Sequence, residues 1–207
     1  MKVTALRVQA RNKNRVNVYL DGKFAFGLAK LEAARLRIGQ ELDEAAVARL
    51  QSADSREQIH ERALRLIARR ARSEAEVREN LKKHGVAEPL IDAEIARLRE
   101  TGLLNDETFA KLWVENRAAF RPRSQRALQV ELKRKGVPPA AMRAALAETN
   151  DADAAYRLAT QRARRLTALP HDEFRRKLAG FLARRGFDYD TVGPLVERAW
   201  QELHTDD

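Results

Sequence analysis

The sequence predicts a mainly α protein: a small N-terminal β segment followed by three tandem three-helix repeats, forming an elongated curved molecule. Three observations carry this expectation. The 207 residues are rich in Ala, Leu, Arg and Glu and hold only nine Gly and six Pro; side chains that keep most of their rotamer freedom on a helix dominate. Alternating apolar and polar residues, the mark of a half-buried strand, occur only before Leu28. A pattern of serine, spaced apolar residues, clustered cations and glycine recurs at offsets of 51 and then 50 residues. Repeats of that size are units that bury surface against their neighbours.

In the β segment, Val16, Val18 and Leu20 alternate with Asn17 and Tyr19, and Asp21-Gly22 leads into Lys23 to Gly27. Asp-Gly between two such runs predicts a tight hairpin, because the turn needs positive φ. Thr4 to Val8 offers a third strand. A lone hairpin is marginal in water, so the sheet is expected to pack on the segment C-terminal to it. Asn12-Lys13-Asn14-Arg15 reads as a polar turn whose cations could touch a partner. Leu28 to Leu36 reads as a short helix stopped near Gly39. Asp43 is the expected N-cap of a helix running through Ile59, Ala63, Leu66 and Ile67, with a break near Ser52 to Ser55.

The repeat aligns Ser73 with Ser124, Val77 with Leu128 and Leu178, Leu81 with Leu132 and Leu182, and Gly85 with Gly136 and Gly186. Further on, Ile91 aligns with Met142 and Val192, and Ile95 with Leu146 and Val196. Ser73 and Ser124 are expected N-caps, and Ser73-Glu74-Ala75-Glu76 fits a capping box. The apolar pair at i and i+4 is an inward helix face. The glycine is expected just past the helix end, in the left-handed conformation that stops it. A second helix then starts at Pro89 in the first repeat and at Pro138-Pro139 in the second. The third repeat has no serine; Asp172 is its expected cap. The expected segments are 1–57 for the β segment with short helices, then repeats at 58–107, 108–150 and 151–207.

The net charge of +10 points to an anionic partner. Its distribution is uneven: residues 108–150 carry nine Lys/Arg against three Asp/Glu, whereas 58–107 and 151–207 each carry ten of both. A merely Arg-rich composition would not concentrate charge in this way. Cations before the repeat glycines complement the helix dipole. That account does not extend to Arg117, Arg121, Arg123 and Arg126, near the opposite end of the second repeat's helix. A polyanion contact, in which each neutralised phosphate releases counterions, does account for them. Glu74, Glu76 and Glu79 can offset the arginines of the first repeat, and hardly any acid lies near those of the second. Phe109, Trp113, Phe174, Phe181 and Phe187 read as core.

Enzyme signatures are missing. The glycines form no phosphate-binding loop or dinucleotide fingerprint. The four histidines lack metal-ligand spacing, and Asn105-Asp106-Glu107 reads as a helix start. With no Cys in the chain, thiol chemistry and disulfides are excluded, which fits a reducing cytoplasm. No apolar run suggests a signal peptide or a membrane span.

Three stretches, "ALRLIARRARSEAEVRENLKKHGV", "LRETGLLNDETFAKLWVENR" and "RPRSQRALQVELKRKGV", closely resemble the RecX family, bacterial regulators of the RecA recombinase. "VNVYLDGKFAFGL" resembles the N-terminal extension of some members, and "FRRKLAGFLARRGFDYDTV" the family's third repeat. The resemblance implies a regulator, usually an inhibitor, that binds RecA filaments on DNA and is thought to lie in their groove. It would suppress ATP hydrolysis and strand exchange, within homologous recombination, DNA repair and the SOS response. It implies no catalytic residue, metal or cofactor, and partners limited to the RecA filament and single- and double-stranded DNA. A cytoplasmic monomer without membrane contact is expected. The residues expected to touch DNA or the filament rest on the charge pattern: Arg70, Arg72, Lys82, Lys83, Arg117, Arg121, Arg123, Arg126, Lys133, Arg134, Lys135, Arg184 and Arg185. Two other readings fit the charge: a helix-turn-helix-like protein that binds DNA alone, and an enzyme of nucleic-acid metabolism.

Overall fold

The computed structural model describes residues 1–204. The chain divides into two compact units, residues 1–70 with 77–101, and residues 71–76 with 102–207.

The first unit opens with an antiparallel sheet in the order β1 (Val3–Val8), β2 (Arg15–Leu20), β3 (Lys23–Ala29). Asp21 and Gly22 both take positive φ, 48° and 81°, the two-residue turn whose twist matches the flanking strands. Alternation does what the sequence predicts: Val16, Val18 and Leu20 are buried and join Val3, Phe26, Leu28 and Leu42 in one core. β3 runs two residues beyond the expected end. Leu28 pairs with Val16 and Ala29 with Arg15, so the expected helix from Leu28 shrinks to the short α1 (Lys30–Ala33).

Helix α2 (Glu44–Ile67) is continuous for 24 residues, capped by the Asp43 side chain. The break expected at Ser52 to Ser55 is absent because that turn is where the helix meets the sheet. Asp54, 4% exposed, accepts from Arg15 Nη2 at 2.7 Å, from Ala29 N at 3.0 Å and from Gln58 Nε2 at 2.6 Å. A buried carboxylate is tolerated when it is paired and hydrogen-bonded in this way. Arg15 is thereby spent on the interior rather than offered to a partner. Farther along α2, His60 Nδ1 lies 2.8 Å from Glu94 Oε1 of α4 (Glu88–Glu100), both groups buried.

The second unit holds α5 (Asp106–Phe120), α6 (Gln125–Arg134) and α7 (Pro139–Leu146), then α8 (Asp151–Ala163), α9 (His171–Ala183) and α10 (Tyr189–His204). Each triplet has its own apolar core, the first around Phe109, Leu128, Leu132 and Met142, the second around Phe174, Leu178, Leu182, Val192 and Val196. These include the residues that align across the repeats. Asn105 and Asn150 cap the first helix of each triplet through their side chains. Asp172 is not a cap. Pro170 holds the cap position, with φ −59° and ψ 151°, and its carbonyl accepts from Phe174 N at 2.9 Å, so the helix begins before Asp172.

Each repeat glycine ends its helix in the same way. In α3 (Glu74–Lys83), Gly85 N donates to Lys82 O and Val86 N to Leu81 O. Gly136 with Val137, and Gly186 with Phe187, make the same two bonds. The three glycine φ values are 75°, 72° and 92°. This is the Schellman closure, which satisfies carbonyls left open at the helix end.

Candidate nucleic-acid interface

The capping serines position the basic surface. Ser124 is 1% exposed. Its Oγ accepts from Ala127 N at 3.2 Å, the expected cap bond, and donates to Gly186 O at 2.7 Å, 62 residues away. Ser124 N donates to Arg185 O at 3.1 Å, and Gln125 N to Asp151 Oδ1 at 2.7 Å. The α6 N-terminus is thus fastened to the end of α9 and the start of α8. The segment around Ser73 repeats the arrangement. Ser73 Oγ accepts from Glu76 N at 3.2 Å and donates to Lys135 O at 2.5 Å, again 62 residues away, while Glu74 N donates to Asp106 Oδ1 at 2.9 Å. The glycines allow the approach. A β-carbon on Gly186 would lie 2.6 Å from Ser124 Oγ and 2.7 Å from Ala127 Cβ, and one on Gly136 would overlap Ala75.

This junction draws together cations from distant parts of the chain. Arg185 Nη1 donates to Pro122 O at 3.3 Å, which brings its charge close enough to Arg121 and Arg123 to feel both. Burial, then the charges of Arg123 and Arg121, push the Arg185 pKa below the usual arginine value. Arg162 and Arg185 both face the Phe181 ring, at 5.6 and 5.0 Å from its centroid. Phe181, expected in the core, is half-buried beneath them.

A second cluster centres on Glu131 of α6, which the charge pattern of the sequence does not single out. Its carboxylate accepts from Trp113 Nε1 and Arg117 Nε, both at 2.8 Å, and lies 3.0 Å from Arg123 Nε. Burial acts to raise the Glu131 pKa. The hydrogen bonds from Arg117 and Trp113 and the charges of Arg117 and Arg123 together outweigh it and hold the group below its ordinary value. Trp113 is at the core rim, facing Arg117 at 4.5 Å and Lys135 at 5.1 Å, and Lys135 also reaches Glu76 at 2.6 Å. Arg117, Arg123 and Lys135 therefore brace the fold as well as carrying charge.

The other expected contact residues separate by exposure. Arg121, Arg126, Lys133, Arg134 and Arg184 are exposed in the second unit; Arg70, Lys82 and Lys83 are exposed in the first. Lys83 pairs with Glu79 at 2.7 Å. Arg126 acts on Asp188, whose carboxyl is held below its ordinary value chiefly by hydrogen bonds from Thr191. Arg72 is half-buried, with its Nε shielded from solvent and no acceptor for it among the described residues. Sequence reasoning missed Arg162, Arg165 and Phe120, which share a cavity with Arg185. Their only sequence signal was the run Gln161-Arg162-Ala163-Arg164-Arg165, averaged away in a neutral segment. Among the described residues no group of three or more His, Cys, Asp or Glu could hold a metal ion, and no helix is long and apolar enough to cross a membrane.

Comparison with known proteins agrees with this architecture. Family models match in chain order: the regulatory protein RecX N-terminal domain at residues 1–43, and the RecX first, second and third three-helix domains at 60–98, 105–146 and 149–193. The chain is 40% identical over 147 residues to the regulatory protein RecX of Mycobacterium sp. (strain JLS), covering 68% of this chain and 80% of that one. It is 31% identical over 204 residues to the regulatory protein RecX of Clostridium perfringens (strain 13 / Type A), covering 95% of both. A crystal structure of regulatory protein RecX superposes with a TM-score of 0.67 at 26% identity, covering 100% of this chain and 99% of the other. From the β segment to the third repeat, the chain belongs to the RecX family of regulatory proteins.

Proposed function

We propose that the chain regulates RecA, as an inhibitor, by binding RecA filaments on DNA through the basic surface of its second and third repeats. The convergence of Arg121, Arg123 and Arg185 carries this reading. Three like charges are held together by the backbone bond from Ser124 N to Arg185 O and by the Arg185 side chain's bond to Pro122 O. Glu131 offsets Arg123, and the repulsion that remains around Arg185 and Arg121 is relieved when an anion binds there. Filament DNA supplies phosphates at regular spacing, and a scaffold of similar repeats can present cations along one strand or groove. The protein acts without cofactor or catalysis, as a cytoplasmic monomer: binding in the filament groove slows ATP hydrolysis and strand exchange. The repeats 58–107, 108–150 and 151–207 serve as successive contact modules.

The test is ATP hydrolysis by RecA filaments preformed on single-stranded DNA, with this protein titrated below stoichiometry. A falling rate is expected. Replacing the exposed Arg121, Arg126, Lys133 and Arg134 together with Ala should weaken filament binding. It should also lower the salt dependence of binding by about 3 in log–log slope, at about 0.7 per phosphate contact on a single strand. Unchanged binding by the folded variant would sink the reading. Equal affinity for naked DNA and for filaments would favour a protein that binds DNA on its own.

A further inference from the structure

At the second unit's basic junction lies a surface cavity of about 210 Å³, walled by Phe120, Pro122, Phe181, Arg162, Arg165 and Arg185. Three features set it apart from an ordinary cationic patch. Phe120, the last residue of α5, is 78% exposed, which leaves its ring open to a ligand at the cavity wall. No carboxylate lines the cavity among the described residues, whereas the larger cavity nearby is lined by Glu115, Glu148, Asp151 and Asp153 as well as cations. Arg162 Nε is shielded from solvent and meets no acceptor among the described residues. The site thus offers an exposed π face, guanidinium groups fixed against Phe181, and no competing anion.

We propose that this cavity takes one nucleotide of single-stranded DNA, its base stacked on Phe120 and its phosphate held by Arg162, Arg165 and Arg185. The inference rests on the DNA-contact reading and narrows it from phosphate attraction to recognition of an unstacked base. In a duplex the base faces are covered by their neighbours; in a single strand they are open to aromatic stacking, which tolerates any sequence. An aliphatic or acidic protein surface would leave either the ring or the three arginines without a match.

The experiment compares two fluorescein-labelled strands of equal length, oligothymidylate and a fully abasic strand, by anisotropy with the full-length protein. The wild type should prefer oligothymidylate by roughly tenfold. Phe120→Ala should abolish that preference while leaving abasic binding intact, and Phe120→Trp should retain it. Arg162→Ala with Arg165→Ala should weaken both strands and lower the salt slope by about 0.7, the share of the one phosphate they hold. Equal wild-type affinity for the two strands, or a preference that survives Phe120→Ala, would overturn the nucleotide site and leave the filament reading standing. Loss of filament binding in Phe120→Ala, with neither strand bound by the wild type, would assign the ring to a protein contact instead. Circular dichroism confirms folding, which an exposed ring should not control.

Discussion

Gly85 and Gly186 close equivalent helices with the same pair of backbone bonds and similar positive φ, 75° and 92°. In the sequence they are one motif. A β-carbon on Gly85 would meet nothing within 4 Å; on Gly186 it would strike Ser124 and Ala127 of the preceding repeat. Gly136 behaves as Gly186 does, against Ala75. The first glycine serves its own helix alone. The later ones also make room for the N-terminus of the helix before them, and that approach lets Ser124 reach Gly186 O and brings Arg185 beside Arg121 and Arg123. A repeated residue has a repeated cause only where it has a repeated neighbour.

The largest effect should come from Gly186→Ala. A side chain at positive φ costs about 1 kcal/mol, and forcing a methyl into occupied space about 2 kcal/mol more. Urea unfolding of the variant should show a loss of about 3 kcal/mol, and DNA affinity should fall with it because Arg185 is displaced. A loss of only the backbone share would mean that the junction relaxes around a methyl, and the comparison with Gly85 would fail.

The sequence displays the backbone half of this design and hides the junction half, for a physical reason. Caps and helix stops are local: Ser124 and Ala127, or Gly186 and Ala183, lie within one turn, and the residue types alone imply the bond. Asp-Gly at the hairpin, Asn105 and Pro139 are legible on the same ground. Ser124 Oγ to Gly186 O spans 62 residues, and nothing in either residue names the other. Asp54 escaped notice because a polar residue in a helix reads as solvent-facing until the sheet is packed on it. At the candidate site, net charge per segment identified the second repeat as the most basic. It concealed Arg162 and Arg165, which acids offset in sequence but not in space, and it undervalued Glu131, one carboxylate placed where it restrains two arginines.

Glu131→Gln tests the next largest effect, the division between bracing and free cations. The bond from Arg117 and the pairing with Arg123 are charge-assisted and half-buried, so the variant should lose about 1.5 kcal/mol at neutral pH. The sign with pH comes from the lowered pKa. In the unfolded chain Glu131 titrates near 4.5, and in the folded chain below that. Its contribution is therefore complete above about pH 5 and disappears as pH falls through the folded value. Wild type and variant should converge in stability on acidification, as seen by urea unfolding at a series of pH values. The same change frees Arg117 and Arg123, so DNA affinity should rise rather than fall. A pH-independent gap, or weaker DNA binding, would show that Glu131 acts through packing alone.

Gly85→Ala is the smallest effect and the sharpest control. The position shares the backbone requirement of Gly186 and lacks the neighbour, so the loss should be about 1 kcal/mol, the cost of the left-handed conformation for a residue with a β-carbon. Gly85→Asn should cost less still, since asparagine tolerates that conformation better than other side chains do. Gly186→Asn should be no better than Gly186→Ala, because relief of the backbone does nothing for the clash. Measuring the four variants together cancels the shared backbone contribution and leaves the contact. If Asn rescued both positions equally, positive φ would be the whole reason for glycine in every repeat. If it rescues only Gly85, the later glycines are kept for the packing that assembles the arginine cluster.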